Sequence, residues 1–159
     1  MDDHTLTLTH AFTCRVTCGE VFEIGVGPLG ERRCYTMTGG RIDGDRLSGD
    51  LVGPGSDWMV TEPDGLMRMD VRLLLRTDDG ALIAIRYFGP AEPSDAMRKA
   101  LAANEPTGFA DQVIRTHWLL ETGDPRHAWV NRTVFVGEGR VCPAGPGTMG
   151  FEHKVYRVG

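Results

Sequence analysis

The sequence of 159 residues lacks any apolar run long enough to cross a membrane as a helix, which takes about 20 residues. It also lacks an apolar segment behind its acidic start, MDDHTLTLTH, so we expect no secretory signal peptide. These two absences predict a cytoplasmic protein with no membrane partner.

An excess of basic residues is missing as well. Lys and Arg number 17 against 22 Asp and Glu, which gives a net charge of −5. A chain of this sign has no general electrostatic attraction for a phosphate backbone or for anionic lipid. We therefore expect no nucleic-acid partner.

Motifs for metals, nucleotides and common catalytic sites are absent. There is no CxxC, HxxxH, HExxH or GxSxG, and GVGPLG at residues 25–30 leads into a strand pattern instead of a helix. Cys14 and Cys18 would lie about 13 Å apart on an extended strand, which exceeds the roughly 7 Å that a disulfide allows. We expect free thiols, no metal and no cofactor.

Turn residues, in contrast, are abundant. The 21 Gly and 9 Pro separate about nine or ten short apolar stretches at a spacing of 8–12 residues, which is typical of an antiparallel barrel or sandwich. Only residues 94–105 have a helical pattern, with Ser94 as the N-cap. The glycine pair at residues 39–40 predicts a bulge or sharp bend in a strand. The sequence thus predicts one mainly β domain over residues 1–159.

The clearest element is a hairpin at residues 69–89, MDVRLLLRTDDGALIAIRYFG. An Asp-Gly pair between apolar runs predicts a two-residue type I′ turn, and this turn places Arg72 opposite Tyr87. Because side chains alternate along a strand, Asp70, Arg72 and Tyr87 then share one face. That face becomes more polar away from the turn, as the mouth of a binding surface would. The alternative is an Asp–Arg pair on an exposed sheet edge.

Other predicted strands also carry polar groups beside large side chains. Trp129 and Asn131 share a face by alternation, as do His117, Leu119 and Glu121. Since the inward faces of a barrel converge, we predict one pocket. Its predicted lining is Asp57, Trp58, Asp70, Arg72, Tyr87, Trp129 and Asn131, with Arg33 and Glu121 close by.

Short motifs throughout the chain carry a family resemblance. They are GERR (30–33), TGG (38–40), LSG (47–49), SDW (56–58), PDG (63–65), D-x-R (70–72), RTDDGALI (76–83), LETGD (120–124) and WVNR (129–132). In this order and spacing the sequence resembles the small bacterial proteins grouped as domain of unknown function 3237. The resemblance implies a calycin-like β-barrel and a homodimer, and it implies no settled activity.

Three hypotheses for function follow. In the first, the barrel encloses a small, partly apolar organic molecule and acts as a cofactor-independent isomerase, cyclase or lyase. Asp57, Asp70 or Glu121 would be the general base or acid, and Arg33 or Arg72 would bind a carboxylate or enolate oxygen. In the second, the same pocket binds without turnover. In the third, the barrel is an interaction scaffold and its Asp–Arg pairs are structural.

Overall fold

The computed structural model describes residues 3–159, and Met1 and Asp2 of the acidic start lie outside them. The antiparallel barrel is confirmed: eight strands follow one another around a closed sheet, and the last strand pairs with the first. The strands are β1 (Leu8–Gly27), β2 (Gly30–Asp43), β3 (Gly49–Thr61), β4 (Met67–Thr77), β5 (Leu82–Glu92), β6 (Val113–Glu121), β7 (Phe135–Val141) and β8 (Gly150–Val158).

The barrel has eight strands, where the sequence predicts nine or ten. One reason is that β1 is a single strand of 20 residues. It pairs with β8 through its first half and with β2 through most of its length. The other reason is a 3₁₀ helix, Pro125–Arg132, in place of the predicted strand that carries Trp129 and Asn131. The Asp124 side chain accepts a hydrogen bond from the Arg126 N–H, and Pro125 occupies the first turn, so this segment begins as a capped helix.

The predicted helix is confirmed as α1, Asp95–Ala103. The Ser94 hydroxyl accepts a hydrogen bond from the Met97 N–H and caps its start. Asn104 ends the helix in the left-handed conformation, which asparagine tolerates better than most residues. Among the described residues, no helix is long and apolar enough to span a membrane.

The β4–β5 hairpin forms as predicted, but its predicted register is wrong. Arg76 pairs with Leu82, and Thr77 closes the loop by donating its N–H to the Ala81 carbonyl. Gly80 lies in the left-handed region, with φ +90°. Asp78, Asp79 and Gly80 therefore form a three-residue loop, in which a type I turn is followed by a left-handed glycine.

One additional loop residue shifts the pairing by one position. Arg72 pairs with Arg86, and Tyr87 pairs with Val71. Because side chains alternate along each strand, Tyr87 joins Val71 inside the barrel while Asp70 and Arg72 lie on its outer surface.

The two ends of the barrel differ. In a meander of this kind the β2–β3, β4–β5 and β6–β7 connections lie at one end, and the remaining four connections lie at the other. At the first end, the 3₁₀ helix contributes Val130 to a packed core. Phe12 meets Trp118 edge to face there, at a centroid distance of 5.8 Å. We call this the closed end and the opposite one the open end.

The bend predicted at residues 39–40 is a real irregularity, since the β2–β3 register shifts between Met37 and Arg41. Gly40 has φ +139°, and a Cβ there would lie 2.0 Å from the Arg15 carbonyl oxygen of the neighbouring strand. No side chain fits without moving the backbone of β1. At Gly39, a Cβ would meet nothing within 4 Å.

These two glycines form a matched pair for mutagenesis. We expect Gly40→Ala to lower the free energy of unfolding by about 3 kcal/mol, from backbone strain and a backbone clash. Gly39→Ala should change it by less than about 0.5 kcal/mol. Urea unfolding followed by circular dichroism measures both, and equal effects at the two positions would contradict the assignment of the bend to Gly40.

Candidate functional site

A cavity of about 420 Å³ opens at the open end of the barrel, which is within the size range of sites for small organic ligands. Its wall is mostly apolar. Six methionines line it, at positions 37, 59, 67, 69, 97 and 149. Its polar wall residues include Glu31, Arg33, Tyr35, Asp57, Tyr87 and His153.

Two of the four connections at this end, β5–β6 and β7–β8, contribute to the mouth of the cavity. Helix α1 contributes Met97 and Leu101, and the β7–β8 connection contributes Met149. The Asn104 side chain donates a hydrogen bond of 3.0 Å to the Gly145 carbonyl and so links the two segments. The residues outside the barrel strands are therefore part of the candidate site.

Asp57 is the buried acid of the cavity. It lies in the middle of β3, and its side chain points inward with Met59 two residues later. Only 6% of the residue is exposed. The Asp70 N–H donates a 3.0 Å hydrogen bond to Oδ1, and Oδ2 has no hydrogen-bond partner within residues 3–159. Burial raises the pKa of Asp57 to about 6, against the opposing effect of the Asp70 N–H.

Tyr87 and His153 form the deep wall. The Tyr87 ring stacks on Trp118 at 4.1 Å between centroids, and its centroid is 5.0 Å from that of His153. Burial lowers the pKa of His153 to about 4, so the imidazole is neutral at pH 7. Its Nδ1 is buried and has no hydrogen-bond partner among residues 3–159. Burial also raises the pKa of Tyr87 well above its usual value, with Cys14 and Asp57 adding to the effect.

Charged groups lie toward the mouth, where they are paired. Arg33 donates from Nε to Glu23 at 2.8 Å and from Nη2 to Glu31 at 3.0 Å. Arg98 of α1 bonds Asp95 one turn earlier, at 2.8 Å. Both guanidinium groups thus have carboxylate partners, and both still have further N–H donors for a ligand.

Of the nine predicted site residues, the structure brings Asp57, Tyr87 and Arg33 together at the cavity. The prediction that Asp70, Arg72 and Trp58 line the same cavity is wrong. Asp70 bonds Arg86 at 2.9 Å on the outer surface, and Arg72 is exposed there. Trp58 follows Asp57 and so points outward by alternation, with 47% of its surface exposed.

The prediction is also wrong for Trp129, Asn131 and Glu121, which lie toward the closed end. Trp129 and Asn131 belong to the 3₁₀ helix, so strand alternation does not apply to them. Trp129 packs on Phe135. Glu121 ends β6 with its side chain exposed.

Two kinds of cavity residue were missing from the sequence prediction. His153 alternates with Val155 along β8, both are buried, and that alternation could have indicated an inward histidine. The methionines gave no periodic pattern, because they come from three strands, one helix and a loop. Only the closed sheet brings them together.

A family model described as "Protein of unknown function (DUF3237)" matches residues 6–158. The chain belongs to this family. A curated UPF0311 protein of Rhodopseudomonas palustris is 30% identical over 137 residues, which cover 84% of this chain and 87% of that protein. The expected family membership is thereby confirmed.

Solved structures agree with the barrel. A "beta-barrel like protein" of Acinetobacter baumannii has a TM-score of 0.81 and 28% identity, and 99% of each chain is covered. A conserved protein of unknown function from R. palustris has a TM-score of 0.82 and 26% identity over 98% of each chain. A protein described as an enzyme from Penicillium herquei has a TM-score of 0.72, covering 100% of this chain and 98% of that one. At 18% identity, it shows a similar fold alone.

Two regions that carry the DUF3237 resemblance, RTDDGALI (76–83) and the segment from LETGD to WVNR (120–132), meet at the closed end. The Asp79 carboxylate accepts hydrogen bonds from Thr77 Oγ1 and pairs with His127 Nε2 at 3.0 Å. These contacts lower the pKa of Asp79 to about 2. Asn131 bonds both the N–H and the carbonyl of Thr122, each at 2.9 Å. In this protein the two motifs therefore join the β4–β5 and β6–β7 loops and contribute no residue to the cavity lining.

The burial of Asp57 predicts that stability depends on pH. The group has a pKa of about 6 when folded and 3.8 as its ordinary value. Between these values the folded protein keeps a proton that the unfolded chain releases. The contribution of Asp57 to the free energy of unfolding is therefore most favourable below about pH 4. As pH rises through 6, that contribution falls by up to about 3 kcal/mol.

Asp57→Asn removes this titration. We expect the variant to exceed the wild type in free energy of unfolding by about 2 kcal/mol at pH 8, and to differ little from it at pH 4. Urea unfolding at a series of pH values measures the difference. Asp70→Asn is the matched control, since Asp70 is half-exposed and paired, and its effect should be small. A destabilised Asp57→Asn protein at pH 8 would contradict the proposed cost of ionising this buried acid.

Proposed function

We propose that the cavity binds a small, partly apolar organic molecule and that Asp57 acts on it as a general acid or base. The observation that carries the proposal is the environment of this carboxyl group. It is buried in a mostly apolar cavity, one of its oxygens is uncommitted, and burial raises its pKa to about 6. A group with a pKa near working pH both accepts and releases a proton readily.

The chemistry we propose is a proton transfer that needs no cofactor. Ionised Asp57 takes a proton from one atom of the substrate, and the resulting anion delocalises its electron pair within the substrate. Protonated Asp57 then returns a proton to another atom, so the product is an isomer and the carboxylate is regenerated. Cyclisation and elimination are variants that use the same two proton transfers. The neutral Tyr87 hydroxyl in the deep wall is a donor for a developing oxyanion, and free N–H groups of Arg33 can bind an oxygen nearer the mouth.

A binding module without turnover is the second proposal. The same apolar wall and the same polar groups would suffice to hold a ligand. The third hypothesis, an interaction scaffold, fits the outer surface, where Asp70 and Arg86 form a structural pair. The burial of Asp57 favours the first two proposals over the scaffold. A buried acid lowers stability, and an interaction scaffold does not require one.

The experiment compares Asp57→Asn with Asp70→Asn. A panel of metabolites is first screened by thermal shift on the wild type, because a ligand of the folded state raises apparent stability. A compound that binds is then assayed for conversion by NMR. We expect Asp57→Asn to lower turnover at least about a hundredfold, as loss of a general acid or base does, and Asp70→Asn to retain the wild-type rate.

The outcomes separate the three hypotheses. Binding without conversion by the wild type would support the binding module. No stabilisation by any compound would favour the scaffold. Equal activity of the two variants would refute the role of Asp57.

We also propose that the protein is a homodimer, as the family resemblance implies. The proposal is supported by large exposed apolar side chains on the outer face of β1, the β1–β2 turn and β3, namely Phe22, Ile24, Val26, Leu29 and Trp58. Phe22 and Trp58 are both cross-strand neighbours of Cys34, so they belong to one surface. Apolar surfaces of this kind commonly mark protein interfaces.

Light scattering tests the dimer. We expect a mass of twice 17.4 kDa for the wild type, and a mass near 17.4 kDa for Phe22→Glu combined with Trp58→Glu, because buried unpaired charges oppose association. Val134→Glu, at another exposed apolar position, should leave the dimer intact. A wild-type mass near 17.4 kDa at micromolar concentration would refute the proposal.

A further inference from the structure

The distribution of methionine in this chain is uneven. The sequence has seven methionines, and all six that the structure describes line the cavity at the open end. They make up six of its 21 lining residues. Phe12, Ile42, Leu75 and Ile83, among the most deeply buried residues, lie outside that lining. Methionine is therefore concentrated at an internal surface that a ligand could reach.

Methionine differs from leucine in ways that matter to a ligand. Its unbranched side chain adapts to different shapes, and its polarisable sulfur makes favourable contacts with aromatic rings, which leucine cannot make. Leucine has a similar volume and usually replaces methionine at little cost in stability. A cavity that only had to be apolar would be served equally well by either residue.

The polar groups of the cavity, which include the Asp57 carboxyl group, disfavour a negatively charged ligand. The deep wall is formed by Tyr87, which keeps its proton, and by His153, which is neutral at pH 7. The cationic side chains that line the cavity, Arg33 and Arg98, both bond carboxylates near the mouth. No buried cation within residues 3–159 faces the deep wall to neutralise a ligand anion, and an unpaired buried charge is costly.

We propose that the ligand of this cavity has a planar aromatic ring system with no negative charge as its buried part, held by the methionine side chains. This inference rests on the proposed small-molecule function and specifies its ligand class. Tyr87 and Phe151 add two aromatic side chains to the same wall. A hydroxyl or carbonyl on the ring system would bond the polar groups of the wall.

The test uses one aromatic and one saturated probe. 2-Naphthol and trans-decahydro-2-naphthol have the same fused two-ring carbon skeleton and the same hydroxyl, and both are uncharged at pH 7. The saturated compound is the more apolar of the two, so a wall that recognises apolar surface alone would favour it. Isothermal titration calorimetry on the full chain gives both dissociation constants. We expect the wild type to bind 2-naphthol at least about threefold more tightly.

Variants then assign this preference to the sulfur atoms. In Met59→Leu combined with Met149→Leu, the affinity for 2-naphthol should fall about tenfold while that for the saturated compound stays within about twofold. Ile83→Leu is the control, because Ile83 is fully buried and outside the cavity lining. It should keep the wild-type ratio of affinities, and circular dichroism verifies that each variant is folded.

The outcomes are distinct. Equal binding of both probes to the wild type, or an unchanged ratio in the double methionine variant, overturns the aromatic inference and leaves the proposed binding function intact. If neither probe binds and no compound of the metabolite panel stabilises the protein, the inference and the proposed function fail together. A preference for 2-naphthol that disappears in the methionine variant, and persists in Ile83→Leu, supports the inference.

Discussion

Closure of the sheet is the constraint on which the rest of this structure depends. β1 bonds β8 on one side and β2 on the other. None of the eight strands within residues 3–159 is therefore an edge strand, and the pairing register is determined around the whole barrel. Inward and outward positions alternate with a period of two, and a shift of one residue in any hairpin exchanges them. The loop of three residues at Asp78, Asp79 and Gly80 therefore decides that Tyr87 faces the interior and that Arg72 does not.

The closed barrel divides its interior into two parts with different properties. Toward the closed end, aromatic and branched aliphatic side chains fill the space, and Asp79 and Asn131 hold the loops together through hydrogen bonds. Toward the open end, flexible methionines surround a cavity that contains a buried acid. The same strands carry the packed core and the methionine-lined wall. Rigid packing at the closed end therefore supports an adaptable wall at the open end, since a close-packed interior resists displacement of its strands.

Asp57 combines a cost to stability with a candidate role in chemistry. Burial makes its ionisation unfavourable, since no cationic side chain of the described residues pairs with it, whereas the Asp70 N–H offsets part of that cost. Asp70 lies on the adjacent strand, β4, where it is solvated and paired with Arg86. Two aspartates joined by one hydrogen bond thus occupy opposite faces of the sheet, and only the inward one has the environment of a functional acid.

The sequence by itself determined the class of fold, the helix and several turns. Local chemistry is sufficient for these features: Ser94 caps α1, Gly80 permits the β4–β5 turn, and Gly40 permits the bend in β2. The sequence also indicated Asp57, Arg33 and Tyr87 as polar or aromatic residues of a cavity. It failed for Trp129 and Asn131 because a capped 3₁₀ helix and a strand can both accommodate the same short apolar pattern.

Only the tertiary structure decided which side chains meet. The register of the β4–β5 hairpin depends on whether its loop has two residues or three. A two-residue loop would place Arg72 on the same face as Tyr87, whereas the three-residue loop places them on opposite faces. His153 and the six methionines are distant in sequence, and they converge because the strands close into a barrel whose inward faces share one space. The raised pKa of Asp57 likewise comes from burial by residues of other strands, which no local pattern around position 57 contains.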